Sequence, residues 1–386
     1  MLILGLIVEY NPLHNGHIYH IKKSKELIQP DIIIAVMSGH FTQRGEPTIT
    51  SKWNRTKLAL DSGIDIVIEL PYIYSNQSAD LFAYGAIAIL KEMRATHIIF
   101  GSEIGEMRLL QQQANIIDEP NFQTDIAPYL KQGYSLPHAI ASLYPDMQGS
   151  NNTLGVHYIR AIKKLGANII PMTIKRTAND YNDEVATHQS IASATTVRTL
   201  MNENQNYQQF VPQIINDEYS NLQNWEHHYP FLRQKLLTSS PKFLSRIHDM
   251  KEGLENRLMK AAITSSTWTD FMNEVSTKRY TKTRIQRICA NILTGLTKEL
   301  MVEFDSLNGP GYIRVLGFSN QGSLYLKGLK KVASVPIYSN FSRLAPSSLK
   351  FELQVTAAFA SVYPKDIMTD LIKQEYQQIP IRRCEL

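Results

Sequence analysis

The chain has 386 residues, of which 43% are hydrophobic and 19% charged, a balance that excludes a disordered chain and provides for a hydrophobic core. Its length favours two domains rather than one. No segment approaches the roughly 20 uncharged apolar residues that a membrane-spanning helix needs, so we expect no membrane partner. Cys289 and Cys384 have neither metal-ligand spacing nor a disulfide pattern, which is typical of a protein in the reducing cytoplasm.

The net charge of +5 is distributed unevenly along the chain. Residues 278–350 contain twelve Lys or Arg and three acidic residues, so this segment carries +9 and the remainder −4. A basic segment joined to a slightly acidic body predicts a polyanionic partner for that segment.

Over the first 200 residues, short β-branched apolar runs alternate with helical patterns. The runs predict strands at residues 2–8, 32–37, 64–70, 97–100 and 169–174. The helical patterns lie at residues 16–28, 52–62, 79–93 and 153–165. This alternation predicts an α/β fold with a Rossmann-like, doubly wound parallel sheet.

After about residue 203 the pattern changes. Residues 202–224 are rich in Asn and Gln and predict a linker or a boundary helix. Residues 229–300 have helical periodicity, and residues 301–347 return to mixed short elements. We therefore predict a nucleotide-binding domain over residues 1–203 and a mainly helical, basic domain over residues 204–386.

The first predicted strand runs directly into a loop of the form HxGH, with His14, Gly16 and His17 at the start of a helix. Free amide groups and the helix dipole favour an anion there, and two imidazoles add donors for phosphate oxygens. Gly16 has no side chain, so a nucleotide can approach its backbone. The alternative is a surface histidine pair. His20 continues the spacing, but no Cys or carboxylate completes a zinc site, so we predict no metal held by this loop.

Further polar residues follow the ends of other predicted strands, where ligands bind in doubly wound sheets. Gly101 follows the fourth strand, and Arg176 follows the fifth. Asn152 can bond a ribose or a base edge, or simply cap its helix. A hydroxyl-rich helix start with one arginine comprises Ser193, Thr195 and Arg198, and it predicts either a phosphate contact or an ordinary helix cap.

A basic run with one aromatic residue begins the charged segment. Its cations and its ring predict nucleic-acid binding through phosphates and base stacking, whereas the alternative is a solvated basic helix. The residues concerned are Lys278, Arg279, Tyr280, Lys282, Arg284 and Arg287. We expect Lys327, Lys330 and Lys331 to extend this positive region.

These motifs together resemble the bacterial tRNA(Met) cytidine acetate ligases of the HIGH nucleotidyltransferase superfamily. The resemblance extends over essentially the whole chain, and its segments are residues 5–17, 37–47, 51–53, 68–71, 100–103, 151–152 and 193–198. The motif Asn11-Pro12-Leu13-His14-Asn15-Gly16-His17 marks only the superfamily. The loop Gln43-Arg44-Gly45-Glu46-Pro47 and the C-terminal extension make the assignment specific.

The resemblance implies an enzyme that activates acetate with ATP to acetyl-adenylate and transfers the acetyl group to the wobble cytidine of elongator tRNA(Met). The product would be N4-acetylcytidine, and Mg²⁺ is expected with ATP. His14 and His17 would be catalytic, and the basic run would bind the tRNA. The implied ATP contacts are Ile7, Val8, Glu9, Tyr10, Asn11, Gly16, His17, His20, Gly101, Asn152 and Arg176, joined by Ser193, Thr195 and Arg198.

Two other functions remain open from the residues alone. A small-molecule adenylyltransferase acting on a nicotinamide or pantetheine precursor needs only the first 200 residues or so, which leaves the basic extension unexplained. A non-catalytic RNA-binding protein with a degenerate nucleotide fold would not need His14, Gly16, His17 and Arg198.

Overall fold

The structure is a computed structural model that describes residues 1–134, 136–144, 149–176, 191–212, 222–277, 280–304, 309–341 and 345–383. Within these residues the strands form one sheet. They are β1 (Ile3–Val8), β2 (Ile32–Ser38), β3 (Ile66–Leu70), β4 (His97–Ser102), β5 (Ile170–Lys175), β6 (Ile313–Ser319), β7 (Ile337–Tyr338) and β8 (Ile381–Arg383). The five strands predicted for the first half are present, each within two residues of its predicted bounds.

Helices surround the sheet and make up most of the second half. Those of the first half are α1 (Asn15–Ile28), α2 (Lys52–Asp61), α3 (Tyr72–Ser75), α4 (Ala79–Glu92), α5 (Met107–Asp118), α6 (Phe122–Lys131), α7 (Leu136–Leu143), α8 (Ser150–Leu165) and α9 (Ala194–Asn202). Those of the second half are α10 (Trp225–Thr238), α11 (Pro241–Leu244), α12 (Leu254–Thr264), α13 (Trp268–Val275), α14 (Lys282–Thr294), α15 (Lys298–Phe304), α16 (Asn320–Leu329), α17 (Ser347–Ala360) and α18 (Lys365–Gln377). A short 3-10 helix, Gln208–Phe210, lies between α9 and α10.

The strand order is β5-β4-β1-β2-β3-β6-β7, and β8 pairs with β6. The strands β1 to β5 are mutually parallel, with Gly5 beside Ile34 and Ile98. The Rossmann-like fold is thereby confirmed. The sheet is not parallel throughout, however, because β6 runs antiparallel to β3, with Arg314 opposite Glu69.

The continuous apolarity of the central strands follows from burial on both faces. In β2 every residue is buried, and alternate side chains enter different hydrophobic clusters. Ile34 and Val36 pack towards α4 and α8, while Ala35 and Met37 pack towards α2. Because a strand that is buried on both faces shows no polar alternation, the apolar runs predicted these strands well.

The sheet continues across the predicted boundary at residue 203. Strands β6, β7 and β8 come from the second half and extend the sheet beyond β3. The division into residues 1–203 and 204–386 stays a prediction, but a cut there would remove one side of the sheet. The remainder of the second half is mainly helical, with Trp225 of α10 stacked on Trp268 of α13. No helix in the described part of the chain is both long and apolar enough to cross a membrane.

Candidate active site

The loop between β1 and α1 holds the two predicted catalytic histidines. His14 caps α1, since its Nδ1 accepts a hydrogen bond from the Gly16 amide at 3.1 Å. The Nδ1 of His17 accepts one from the His14 amide at 3.3 Å, and the ring centroids lie 3.8 Å apart. Because each Nδ1 is an acceptor, each neutral ring carries its proton on Nε2. The two rings therefore present N–H donors on the side away from this backbone.

Both rings are kept neutral by their surroundings. Burial, together with the charges of Arg176 and Arg198, lowers the pKa of His14 to about 4. Burial also lowers the pKa of His17 well below its ordinary value, with further contributions from His14, His20 and Arg176. Burial disfavours a charge of either sign on these rings, whereas the nearby arginine charges that add to the effect attract an anion.

Gly16 makes room for the capping histidine. A Cβ on Gly16 would lie 2.9 Å from Cε1 and 3.0 Å from Nδ1 of His14. The absence of a side chain is thus needed for the cap itself, a reason that the motif did not reveal.

His20 lies one turn further along α1. Its Nε2 is buried and has no hydrogen-bond partner among the described residues. Burial, with the charge of Arg176, lowers its pKa to about 4. Within the described residues, no three His, Cys, Asp or Glu side chains are grouped so that they could hold a metal ion.

The remaining predicted contacts in this segment follow the end of β1. Ile7, Val8 and Glu9 are half-buried, while Tyr10 and Asn11 are buried. Asn11 Oδ1 accepts a hydrogen bond from the Ile49 amide at 2.8 Å, and its Nδ2 has no partner in the described part of the chain. The hydrogen bond from Ile49 therefore holds the segment between β1 and α1 in place.

A second group forms where β4 and β5 end. Arg176 Nη1 donates to Asn151 Oδ1 at 3.1 Å, and its side chain lies across Gly101, whose added Cβ would be 2.8 Å from Arg176 Cγ. The Asn152 amide donates to Glu103 at 2.7 Å. The fold therefore brings Gly101, Asn152 and Arg176 together, as predicted. The charge of Arg176 reaches all three histidines of α1, so this group lies beside the HxGH loop.

Glu103 is a residue of this group that the site prediction omitted. Its carboxylate accepts hydrogen bonds from the Asn151 side chain at 2.8 Å and from the Asn152 amide. Partial burial opposes ionisation, but these hydrogen bonds lower the pKa of Glu103 below its ordinary value. Its position directly after β4 is the sequence signal that could have identified it.

Helix α9 closes the other side of the loop. Ser193 caps α9 by accepting from the Thr196 amide at 3.1 Å. Arg198 Nη1 donates to the Asn11 carbonyl at 2.8 Å, and its Nη2 donates to Thr195 Oγ1 at 3.3 Å. Glu46 forms an ion pair with Arg198 at 2.9 Å. Arg198 thus fixes the loop backbone in this structure.

Arg55 is a second residue that sequence reasoning missed. It is fully buried, and its Nη1 donates to the carbonyls of Glu9 at 2.7 Å and Ser38 at 3.0 Å, while Nη2 donates to Gly39. It joins the ends of β1 and β2. A single arginine within a helical pattern carries no sequence signal for this role.

Four buried charges lie at the carboxyl end of β3, and we call them the ion ring: Lys52, Glu69, Arg314 and Glu375. Lys52 Nζ lies 2.6 Å from Glu69 and 2.8 Å from Glu375, and Arg314 Nη1 lies 2.9 Å and 2.7 Å from the same two carboxylates. Each cation thus contacts both anions. Arg314 was counted in the basic segment, but it is buried here and offers no charge to a partner.

Two further ionisable groups border the ion ring. Burial and the neighbouring Glu69 raise the pKa of Glu352 to about 8, and its carboxyl group accepts from the Tyr72 amide at 2.6 Å. Burial lowers the pKa of His40 to about 4, although Glu375 lies 3.8 Å away. At neutral pH, Glu352 is protonated and His40 is neutral, so the ring itself remains balanced.

The predicted RNA-binding residues lie on α14 and just before it. Lys278 and Arg279 lie outside the described residues. Arg284 lies 5.6 Å from the centre of the Tyr280 ring and forms an ion pair with Asp249 at 2.9 Å.

The start of α14 packs against loops from the carboxyl edge of the sheet. A Cβ on Gly45 would lie 2.4 Å from the Arg287 amide nitrogen, and Asn76 Nδ2 donates to the Arg287 carbonyl at 3.2 Å. Lys282 is exposed. The described part of the basic run is therefore beside the edge that carries the histidines.

Lys327, Lys330 and Lys331 do not extend this region, contrary to the expectation from the sequence. They lie on α16 or directly after it, and α16 begins where Ser319 bonds Asp65 at 2.8 Å and Gln321 bonds the Asp31 carbonyl at 2.9 Å. Asp31 and Asp65 precede β2 and β3, so α16 starts from the amino edge of the sheet. The chain directly after Lys331 also lies near that edge, because the Val332 carbonyl accepts from Arg94 Nη2 at 3.4 Å and Arg94 precedes β4. The antiparallel direction of β6 carries the chain to that edge.

Comparisons with known proteins agree with this geometry. The family model described as HIGH Nucleotidyl Transferase matches residues 1–375. The chain is 39% identical to the tRNA(Met) cytidine acetate ligase of Geobacillus sp. (strain WCH70), with 99% of this chain and 100% of the relative covered. It is 37% identical to that of Bacillus subtilis (strain 168), with 100% and 98% covered.

Solved structures show the same similarity. The apo structure of Thermotoga maritima TmcAL matches with a TM-score of 0.88 and 31% identity, covering 99% of each chain. The structure of the same protein bound with alpha-thio ATP matches with a TM-score of 0.87. The resemblance drawn from the motifs is thereby confirmed.

Proposed function

Because this chain belongs to the HIGH nucleotidyltransferase family, and within it to the tRNA(Met) cytidine acetate ligases, we propose that it activates acetate with ATP and acetylates the wobble cytidine of elongator tRNA(Met). The product is N4-acetylcytidine. The small-molecule alternative leaves the second half of the chain without a role, and the non-catalytic alternative does not need the capped histidine pair.

In the first step, an acetate oxygen attacks the α-phosphorus of ATP. The bond from that phosphorus to the bridging oxygen breaks, and pyrophosphate leaves with the bonding electrons. Charge increases on the phosphate oxygens during attack. The Nε2–H groups of His14 and His17, together with the positive end of the α1 helix dipole, are suited to stabilise it.

In the second step, the N4 amine of cytidine attacks the acetyl carbonyl carbon. The carbon–oxygen bond to AMP breaks, AMP leaves with the electron pair, and the amine loses a proton to water. Neither step needs a covalent intermediate with the protein, and the residues around the HxGH loop include no Cys-His or Ser-His-Asp arrangement in the described part of the chain.

The remaining nucleotide contacts follow from the two groups around the loop. We propose that Gly101, Asn152 and Arg176 hold the nucleotide on the β4 side, and that Ser193, Thr195 and Arg198 hold it on the α9 side. Mg²⁺ would bind chiefly to the phosphate oxygens and water, because the described residues offer no ready cluster of protein ligands. We propose that the reaction takes place in the cytoplasm, where the tRNA substrate is found.

For the RNA, we propose contacts from Lys278, Arg279, Tyr280, Lys282, Arg284 and Arg287. The proximity of α14 to the HxGH loop supports this proposal, since the reacting base must reach the acetyl-adenylate while the basic residues hold its phosphates.

The mechanism depends on one observation: the Nδ1 atoms of His14 and His17 both accept backbone hydrogen bonds at the start of α1, which leaves Nε2 as the donor of each ring. His14→Asn and His17→Asn test it, because the Asn side-chain oxygen can accept in place of Nδ1 but leaves no donor at the position of Nε2. We expect acetate-dependent ATP–pyrophosphate exchange to fall by about 10²- to 10³-fold in each variant, with folding retained.

The exposed His138→Asn, on α7, is the matched control and should retain exchange. Full exchange in His17→Asn would contradict the role of Nε2. Exchange that does not require acetate, or no acetyl mass gain on the anticodon fragment of tRNA(Met) after incubation with ATP and acetate, would contradict the proposed function itself.

A further inference from the structure

The loop of residues 43–47, which we call the bridge loop, contacts both halves of the molecule. The Gln43 amide donates to Glu9 Oε1 at 2.6 Å, at the end of β1. Glu46 pairs with Arg198 at 2.9 Å. Trp225 Nε1 of α10 donates to the Gly45 carbonyl at 3.1 Å. The bridge loop is thus fixed to the nucleotide site on one side and to the helical part on the other.

Gly45 brings the bridge loop into direct contact with α14. Its φ of +79° is in the left-handed region, and an added Cβ would lie 2.4 Å from the Arg287 amide nitrogen and 2.8 Å from Arg287 Cα. Only a glycine permits both the conformation and the approach. The residue before it, Arg44, therefore starts only a few ångströms from the backbone of Arg287.

Arg44 and Arg287 differ from the other arginines around the site. Arg198 is paired with Glu46 and Arg284 with Asp249, whereas neither Arg44 nor Arg287 has an ion pair or a side-chain hydrogen bond with any described residue. The Glu9 carboxylate near Arg44 already accepts from the Gln43 amide. The carboxylates of Asp80 and Asp249 attract Arg287 electrostatically but lie too far away to form an ion pair with it. Asp249 forms its ion pair with Arg284 instead.

Arg287 carries this unpaired charge although it is half-buried. Burial lowers its pKa below the ordinary arginine value, which means that the surroundings disfavour the cation. A desolvated charge without a partner is costly, so a protein that keeps one beside a reactive site has a use for an anion there. Arg44 is exposed, and the contact of Gly45 with Arg287 brings its backbone close to that of Arg287, within reach of a second long side chain.

We propose that Arg44 and Arg287 together bind one RNA phosphate next to the reacting cytidine, at the junction of the nucleotide site and α14. Guanidinium groups bind phosphate oxygens through paired hydrogen bonds, and two of them at one point fix the position of the strand as well as its affinity. The inference rests on the proposed function. It assigns Arg44 to the RNA rather than to ATP, although its charge is near enough to act on Glu9.

The test separates the two half-reactions in the full-length enzyme. In Arg44→Gln we expect the KM for tRNA(Met) in acetyl transfer to rise about tenfold, as for loss of one charge-assisted contact. The slope of log affinity for tRNA against log salt should decrease by about 0.7 to 0.9. The KM values for ATP and acetate in ATP–pyrophosphate exchange without RNA should not change. Arg44→Lys keeps the positive charge and should restore the salt slope, but it should recover only part of the affinity because Lys cannot form paired hydrogen bonds to a phosphate.

The double variant Arg44→Gln/Arg287→Gln should cost less than the sum of the single variants, because both residues serve one phosphate. The matched control is Lys131→Gln, which removes one positive charge from an exposed position on α6. A raised KM for ATP in Arg44→Gln would assign Arg44 to the nucleotide and overturn the inference. Unchanged tRNA affinity and an unchanged salt slope in Arg44→Gln would also overturn the inference. In that case, weaker tRNA binding in Arg284→Gln would still support the RNA contacts proposed for α14.

Discussion

The carboxyl edge of the sheet holds two groups of ionisable side chains whose charges are balanced in different ways. In the ion ring, two cations and two carboxylates contact one another at 2.6 to 2.9 Å and are buried. Around the HxGH loop, three neutral histidines lie near Arg176, whose side chain bonds only the neutral Asn151 among the described residues. The first group is complete within the protein. The second is electrostatically incomplete, and an anionic ligand would complete it.

The largest expected effect comes from breaking the ion ring. Arg314→Met would leave Glu69 and Glu375 buried with Lys52 alone, and we expect a loss of about 3 to 5 kcal/mol in the free energy of unfolding. Urea denaturation measures it. Arg108→Met, on the exposed side of α5, should change stability by less than about 0.5 kcal/mol. If Arg314→Met and Glu69→Gln had strictly additive costs, the four charges would not act as a unit.

A smaller effect is expected at the histidines as the pH falls. The pKa of His14 is about 4 in the folded protein, whereas an exposed histidine in the unfolded chain has a pKa of about 6.5, so between these values the unfolded chain binds more protons. Stability therefore decreases as the pH falls from 6.5 towards 4. Between pH 7 and pH 5 the loss from His14 should be about 2 kcal/mol. Urea denaturation at both pH values should show that the free energy of unfolding depends less on pH in His14→Asn than in the unmodified protein. An equal pH dependence in the two proteins would disprove the low pKa of His14.

The smallest effect should come from the ion pair at the site itself. Glu46 and Arg198 are 29% and 18% exposed, so water screens the pair, and Glu46→Gln should cost less than about 1 kcal/mol of stability. Loss of the carboxylate makes the site more positive. We therefore expect the KM for ATP in the exchange reaction to decrease about two- to fivefold. An increase would mean that Glu46 is needed to position Arg198.

The first half of the fold could be predicted from sequence because its signals are local. Strands that are buried on both faces appear as continuous apolar runs, and β2 was placed to within one residue. Strand β6 was not predicted, although its sequence is largely apolar apart from Arg314. Its place depends on antiparallel pairing with β3, some 250 residues away, and no local pattern specifies that partner.

The candidate site was predictable to a similar extent. His14, His17, Gly101 and Arg176 follow strand ends, so the topology alone brings them together. Glu103 was omitted from the predicted site although its position directly after β4 was a signal. Arg55 was missed because its role depends on which carbonyls lie opposite it after folding. For the same reason Arg314 was counted as a surface cation, since a sequence gives a charge but not its partner.

The long-range ion ring also has a consequence for biosynthesis. Glu69 and its partner Arg314 are 245 residues apart in sequence. At translation rates of about 5 to 20 residues per second, the ribosome needs on the order of 10 to 50 s to make the intervening chain. During that interval β3 has an open edge and a carboxylate without its arginine, so the nascent first half is exposed to wrong strand pairing until β6 emerges. Chaperone dependence should therefore be concentrated in this interval of synthesis.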